Sequence, residues 1–477
     1  MDDSQPALTL RPASYRFGGL KLLFICVYLG VVAALSHASA IPHAGILLVP
    51  LALVFQRLNV YRFLVLVFAG TIVFFPPGWP GSFLYFLFTP DILIITFVIL
   101  AILAVKPTTL RLPLYGPMVP LYAFVAYALI LAIPPIVNGG KADSIAFDLK
   151  AILTLLLIPL VIKLDEYGRE PKKIYLLLFT FVLLTSLHSL VVIGQFLVTR
   201  YRVESWNEIF VSDAILATVA LLSLPFSKGT KRGLWAALGL TIFALIAIQT
   251  RGLWLSTLFA LGFYAVAMFV TSTRFEIRTV VRSALWLAGL AIVVNYGATL
   301  VIGQSIADLF LNRLAGFSPT ELADPYSSMG YRLHESWAIW DERTFFGHGT
   351  GATIRLFFTQ LGVNGYIDWW AIHSGYFELL HKFGFFGLAL FAWLYVSIFH
   401  RGWRLARKPS RHAKVFGILV MTLVINHAVV SITSGYFLRW AVLIWILLIY
   451  GAEKLDPSGA TDAAGSSAGE RNAAPQV

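Results

Sequence analysis

Cysteine and charge are what this sequence has least of. A single cysteine, Cys26, stands in 477 residues, which excludes an intrachain disulfide and a thiolate metal site. Charged residues make up only 13% of the chain, against about 25% in soluble globular domains. That shortage excludes a soluble enzyme, and the 58% apolar content excludes a disordered chain. The net charge of +12 would suggest nucleic acid in a soluble protein. In so apolar a chain it points to membrane topology instead.

Long apolar runs are what the sequence has in excess, and its mean hydropathy is +0.79. Runs bounded by charges or by Pro/Gly clusters fall near 20–40, 43–56, 61–76, 91–105, 115–137 and 149–163. They continue near 173–199, 210–227, 233–250, 252–273, 280–302, 374–399, 413–433 and 436–452. A membrane span uses about 20 apolar residues, so the shorter runs are half-spans or re-entrant segments. The expectation is an all-α polytopic membrane protein with about 12–14 transmembrane helices. The run after Lys21 reads as the first span and not as a cleavable signal peptide, because further spans follow it.

Basic residues collect in the cytoplasmic loops of membrane proteins. Alternating from a cytoplasmic N-terminus, the inside loops carry Lys106 and Arg111, then Lys163 to Lys173, then Lys228, Lys231 and Arg232, then Arg274, Arg278 and Arg282. The last inside loop, 400–414, holds Arg401, Arg404, Arg407, Lys408, Arg411 and Lys414 with no acid. This predicts both termini in the cytoplasm. One connection, 303–372, is about 70 residues long and falls on the outer face, too long to lack structure or function. Four segments follow: an N-terminal bundle of about 11 spans over 1–302, the large loop 303–372, C-terminal spans over 373–454, and a disordered cytoplasmic tail over 455–477, rich in Ala, Gly and Ser. Within the loop, Tyr331–Phe345 predicts an amphipathic helix with Leu333, Trp337 and Trp340 on one face, lying at the membrane surface.

Ionisable groups near membrane depth are costly and mark function more often than chance. Arg251, in IQTRGLWLS, is the only charge between Arg232 and Arg274. It reads either as an interfacial anchor reaching toward headgroups or as part of a site on the face that carries the large loop. Arg332 opens the amphipathic helix. The turn Gly347-His348-Gly349-Thr350-Gly351 would present backbone N–H groups to an anion, or serve simply as a structural turn. His373 stands at the outer membrane boundary, as a hydrogen-bonded structural residue or as a catalyst. Possible supporting residues are His348, Glu378, Lys382, Arg200 and Arg202.

In order, TRG at a span end, then an arginine, then FGHGTG, then HSGY followed by Gly384 and Gly387 resemble the bacterial O-antigen ligase and polymerase family. The resemblance covers about Gln249 to Gly387. Upstream, NEIFVSDAILATVALL stands where many relatives carry an Asn-rich motif. The resemblance implies the fold of the polyprenyl-phosphate-dependent membrane glycosyltransferases, with one large helical periplasmic loop. It implies that Arg251 and Arg332 hold the diphosphate of an undecaprenyl-diphosphate-linked glycan and that His373 is catalytic. No metal ligands and no cofactor are expected, because two arginines can stabilise a diphosphate by themselves and no convincing acidic cluster stands on the outer face. The expected partners are the lipid-linked glycan donor, lipid A–core or another glycan acceptor, and membrane lipids, with no nucleic acid. The implied place is the bacterial inner membrane, with the active site on the periplasmic face. Ligase, polymerase and protein O-oligosaccharyltransferase stay open, with a lipid-linked oligosaccharide flippase as the contrasting class.

Overall fold

The computed structural model describes residues 116–138, 173–199, 208–271, 328–358, 365–369, 372–435 and 441–454, with scattered positions in 144–155 and 289–324. The expected spans before residue 115, most of 149–163 and 280–302, and the tail lie outside the described residues. What is described is an all-α polytopic membrane body, and six of its helical segments are long and apolar enough to cross a bilayer. In chain order the elements are α1 (Met118–Ile130), α2 (Ile133–Val137), α3 (Lys173–Thr199), α4 (Glu208–Leu222), α5 (Lys228–Ile248) and α6 (Arg251–Thr271). There follow α7 (Ser328–Asp341), β1 (Ile354–Phe358), β2 (Gly365–Trp369), α8 (Gly375–Ala406), α9 (Arg411–Val430) and α10 (Ala441–Lys454).

Two of the helices begin at a serine whose side chain satisfies a free N–H group. Ser227 caps α5 by accepting from Thr230 N–H at 3.3 Å, and Ser410 caps α9 through Ala413 N–H at 3.5 Å. Gln249 closes α5 in the left-handed conformation, φ 55°. The chain then turns through Thr250 alone and starts α6 at Arg251. The run expected over 210–227 forms a helix of only 15 residues, α4. At 1.5 Å per residue it is about 22 Å long, short of a bilayer core of about 30 Å. It is buried among other helices along nearly its whole length.

α9 is the hub and packs on α8, α6, α10 and α4. Its approach to α8 is backbone-close: a Cβ on Gly417 would sit 2.5 Å from Gly402 O. Small residues allow that contact, which dispersion then stabilises in an apolar medium. Among the described residues, the basic clusters at 228–232 and 401–414 lie at the end of the bundle opposite the loop. There Lys414 Nζ donates to Thr271 O at 2.7 Å and Arg411 Nη2 to Ser223 O at 2.8 Å, each cation meeting carbonyls that a helix end leaves free.

Within the large loop, a short two-stranded hairpin stands beside the expected helix. β1 and β2 pair antiparallel, with Arg355 opposite Asp368 and Leu356 opposite Ile367. IRLFF and GYIDW are β-branched and aromatic, a composition that favours strands over helix. The amphipathic helix is α7, Ser328–Asp341, which ends before the expected Phe345. Leu333, Trp337 and Trp340 are exposed on one face, while Glu335 and Ile339 are buried on the other.

Candidate active site at the loop end of the bundle

A cavity of about 510 Å³ opens between α7, the start of α8 and the turn after α9. Arg332, Trp337 and Trp340 line it from α7, His373 and Phe377 from the α8 side, and Thr433 from the turn. Helical spacing explains the α7 contribution, since 332, 336 and 340 are four apart and 333, 337 and 340 are four and three apart, so the two rows share a face. Arg332 Nη1 donates to Thr433 O at 3.2 Å, which fixes the guanidinium at the cavity wall. α6 reaches the same turn, because a Cβ on Gly252 would lie 2.1 Å from Thr433 Oγ1. The Arg251 backbone, next to Gly252, therefore stands beside the turn that holds Arg332. A helix N-terminus presents free N–H groups and a partial positive charge, which favours an anion there.

The TRG segment is anchored from below. Thr250 Oγ1 donates to Glu208 Oε2 at 2.7 Å, and Trp254 Nε1 to Leu245 O at 2.7 Å. His373 sits just before α8 on a segment that Gly375 N–H ties to Ser431 O at 2.9 Å. Its side chain is about one-third exposed, at 36%. The His373 N–H and Nδ1 both face Glu335, a fully buried carboxylate, at 3.0 and 3.3 Å. The Tyr331 ring packs edge-on to the imidazole, centroids 5.7 Å apart. Burial first, and then the Glu335 charge, push the Tyr331 phenol above its ordinary range.

Three of the supporting candidates, His348, Glu378 and Lys382, fall outside the cavity lining. Lys382 is fully buried, and its Nζ donates to Asp148 Oδ1 at 2.8 Å and Glu378 Oε1 at 2.9 Å. Both Lys382 and Glu378 are thus committed to one internal charge cluster and do not line the cavity. The glycine turn is a clasp, not an anion cradle. His348 N–H donates to His381 O, Gly349 N–H to Lys382 O, Thr350 N–H to Leu131 O and Gly351 N–H to Asp148 Oδ2. The His348 ring turns outward, its Nε2 2.8 Å from Glu342 O. Arg200 and Arg202 lie outside the described residues.

Two groups were not singled out from the sequence. Nothing in the sequence marks Glu335 as more than one acid of the amphipathic helix, although its i+3 spacing from Arg332 places it one turn along. Asp213 was one acid in an apolar run. It is buried beneath the cavity, where its carboxylate accepts from Asn426 Nδ2 and meets His427 Nε2, each at 3.0 Å. Ser212 bonds Thr257 Oγ1 at 2.7 Å beside it. Lone polar residues inside α4, α6 and α9 become one network only when those helices pack. Among the described residues, no group of three or more His, Cys, Asp or Glu is placed to hold a metal ion.

Fold and cavity together define a polytopic membrane protein with a largely apolar, aromatic-lined pocket under a folded loop, at one end of its helices, with Arg332 and His373 in its wall. Residues 236–392 match the family model described as O-antigen ligase. The match runs from within α5 to the first half of α8 and includes Arg251, Arg332 and His373. That similarity suggests, in general terms, a glycosyltransferase-like membrane enzyme of the kind that works on a lipid-linked glycan and an acceptor. No curated protein matches the chain.

Proposed function

We propose that the protein is an O-antigen ligase-type transferase of the bacterial inner membrane. It moves a saccharide from undecaprenyl diphosphate to lipid A–core at the periplasmic face, with both termini in the cytoplasm. The observation that carries this reading is the meeting of Arg332 and His373 in one cavity, beside the N-terminus of the helix that Arg251 opens. The match to the O-antigen ligase model supports the class of reaction.

The chemistry needs two things. A sugar hydroxyl is a poor nucleophile, and His373 takes its proton as a general base. The diphosphate leaves with negative charge, which planar, permanently charged guanidinium groups stabilise with paired hydrogen bonds. In a single displacement the acceptor oxygen bonds the anomeric carbon while the bond from that carbon to the diphosphate breaks. The configuration inverts, and undecaprenyl diphosphate is released against Arg251 and Arg332. The arginines do this without a metal, so transfer by purified protein is expected to persist in excess EDTA.

The test is deletion and complementation in the parent bacterium, reading electrophoretic ladders of surface glycans and confirming each variant's expression by immunoblot. Deletion is expected to leave full-length polymer on the lipid carrier and none on lipid A, with Arg251→Ala, Arg332→Ala and His373→Ala failing to restore it. A single capped repeat unit would assign a polymerase of the same family, and loss of glycan from proteins alone would assign protein O-glycosylation. Donor trapped on the cytoplasmic side would assign a flippase. Normal glycans with all three variants would overturn the site.

A further inference from the structure

Glu335 plays no part in the reaction as written above, yet it is a carboxylate with no exposed surface, one turn from Arg332. Burying a carboxylate is costly unless it is paired or well hydrogen-bonded. Its two oxygens are directed at one residue. Oε2 accepts from the His373 backbone N–H at 3.0 Å, and both oxygens lie 3.3 Å from His373 Nδ1. One side chain therefore holds both the backbone and the ring of the residue assigned as base.

The pairing also selects a tautomer. A ring nitrogen facing a carboxylate carries the proton, since two lone pairs would repel. With the proton on Nδ1, the lone pair sits on Nε2, on a ring that lines the cavity. Tyr331, packed edge-on at 85°, restrains the ring plane. Carboxylates act in this way beside catalytic imidazoles on unrelated folds.

We propose that Glu335 is the positioning residue for His373. It fixes the imidazole with Nε2 toward the acceptor hydroxyl and stabilises the imidazolium formed when that proton is taken. Glu335 reaches the reaction only through His373. This inference rests on the transferase reading above.

The test uses the full-length protein in nanodiscs, with a polyprenyl-diphosphate-linked glycan isolated from a strain lacking the protein as donor. Initial rates, donor affinity and thermal unfolding are measured for the wild type, Glu335→Gln, Glu335→Ala, His373→Ala and the double variant. Glu335→Ala is expected to lower kcat on the order of 10²-fold while the donor KM stays within about twofold. Glu335→Gln keeps the shape and one acceptor, and is expected to fold and to show the same kind of loss. In the His373→Ala background, removing Glu335 is expected to change the residual rate by less than about twofold, because the two act as a unit. A full additional loss in the double variant would overturn the proposal. So would wild-type kcat in both Glu335 variants, or donor affinity and unfolding temperature falling in step with rate. Wild-type transfer by His373→Ala would overturn the assignment of His373 as base and this proposal with it, whereas no transfer by the wild type would instead bring down the transferase reading itself.

Discussion

Lys382 shows how a charge can stand near a site without belonging to it. Its ammonium group touches two carboxylates, Asp148 and Glu378, inside the bundle. Asp148 also accepts from Gly351 N–H at 2.7 Å, so the same cluster fastens the glycine turn. Lys382→Met would leave the two carboxylates without their cation, at a cost of about 3–5 kcal/mol. Thermal unfolding in detergent is expected to show this as a lowered midpoint, together with release of the loop to protease. Arg332 makes the contrasting case. Arg332→Lys keeps the charge but loses the planar fork, so transfer is expected to fall about tenfold with unfolding unchanged. A steady-state rate beside a melting curve separates the two effects.

At the scale of elements, the loop is held on the bundle by a glycine interlock. α8 breaks at Gly384, with φ 67° and ψ −171°. A Cβ there would lie 2.2 Å from Phe345 O and 2.4 Å from Gly347 N, while one on Gly347 would lie 2.5 Å from Gly384 N. Tyr127 completes the joint from α1, its hydroxyl donating to Phe346 O at 2.8 Å. Gly384→Ala combines a left-handed φ with a backbone clash and is expected to cost about 2 kcal/mol or more. The protein would still insert in the membrane, since no apolar span is altered. Limited proteolysis is expected to cut the loop faster, and transfer is expected to drop severalfold.

At the scale of the whole molecule, the described basic helix ends and the loop end lie at opposite poles of the helices. A Cys26→Ser background with Glu342→Cys or Arg407→Cys gives one exposed thiol at each pole. On intact spheroplasts an impermeant maleimide is expected to label the first and spare the second, and detergent should open both. Labelling of Arg407→Cys alone would invert the proposed topology. The poles also explain why α9 sits centrally: it carries Asn426 and His427 to Asp213 and then delivers the turn that bonds Arg332.

Composition and run length by themselves determined an apolar helical membrane protein, because a bilayer solvent demands about 20 apolar residues per span wherever the chain crosses. The six spans fall within a few residues of the apolar runs for that reason. The resemblance carried by TRG, FGHGTG and HSGY anticipated the O-antigen ligase match. Tertiary structure alone decided what each polar residue faces. Arg332 and His373 are 41 positions apart and meet across a cavity, while Lys382, nine positions from His373, is sealed inside. From the sequence the glycine turn is open to an anion or to a structural role; in the fold its N–H groups meet the carbonyls of Leu131, His381 and Lys382 and the Asp148 carboxylate. Hydropathy is a property of single positions, legible one residue at a time. Hydrogen-bond partnership belongs to pairs distant in the chain, and only packing brings those pairs within 3 Å.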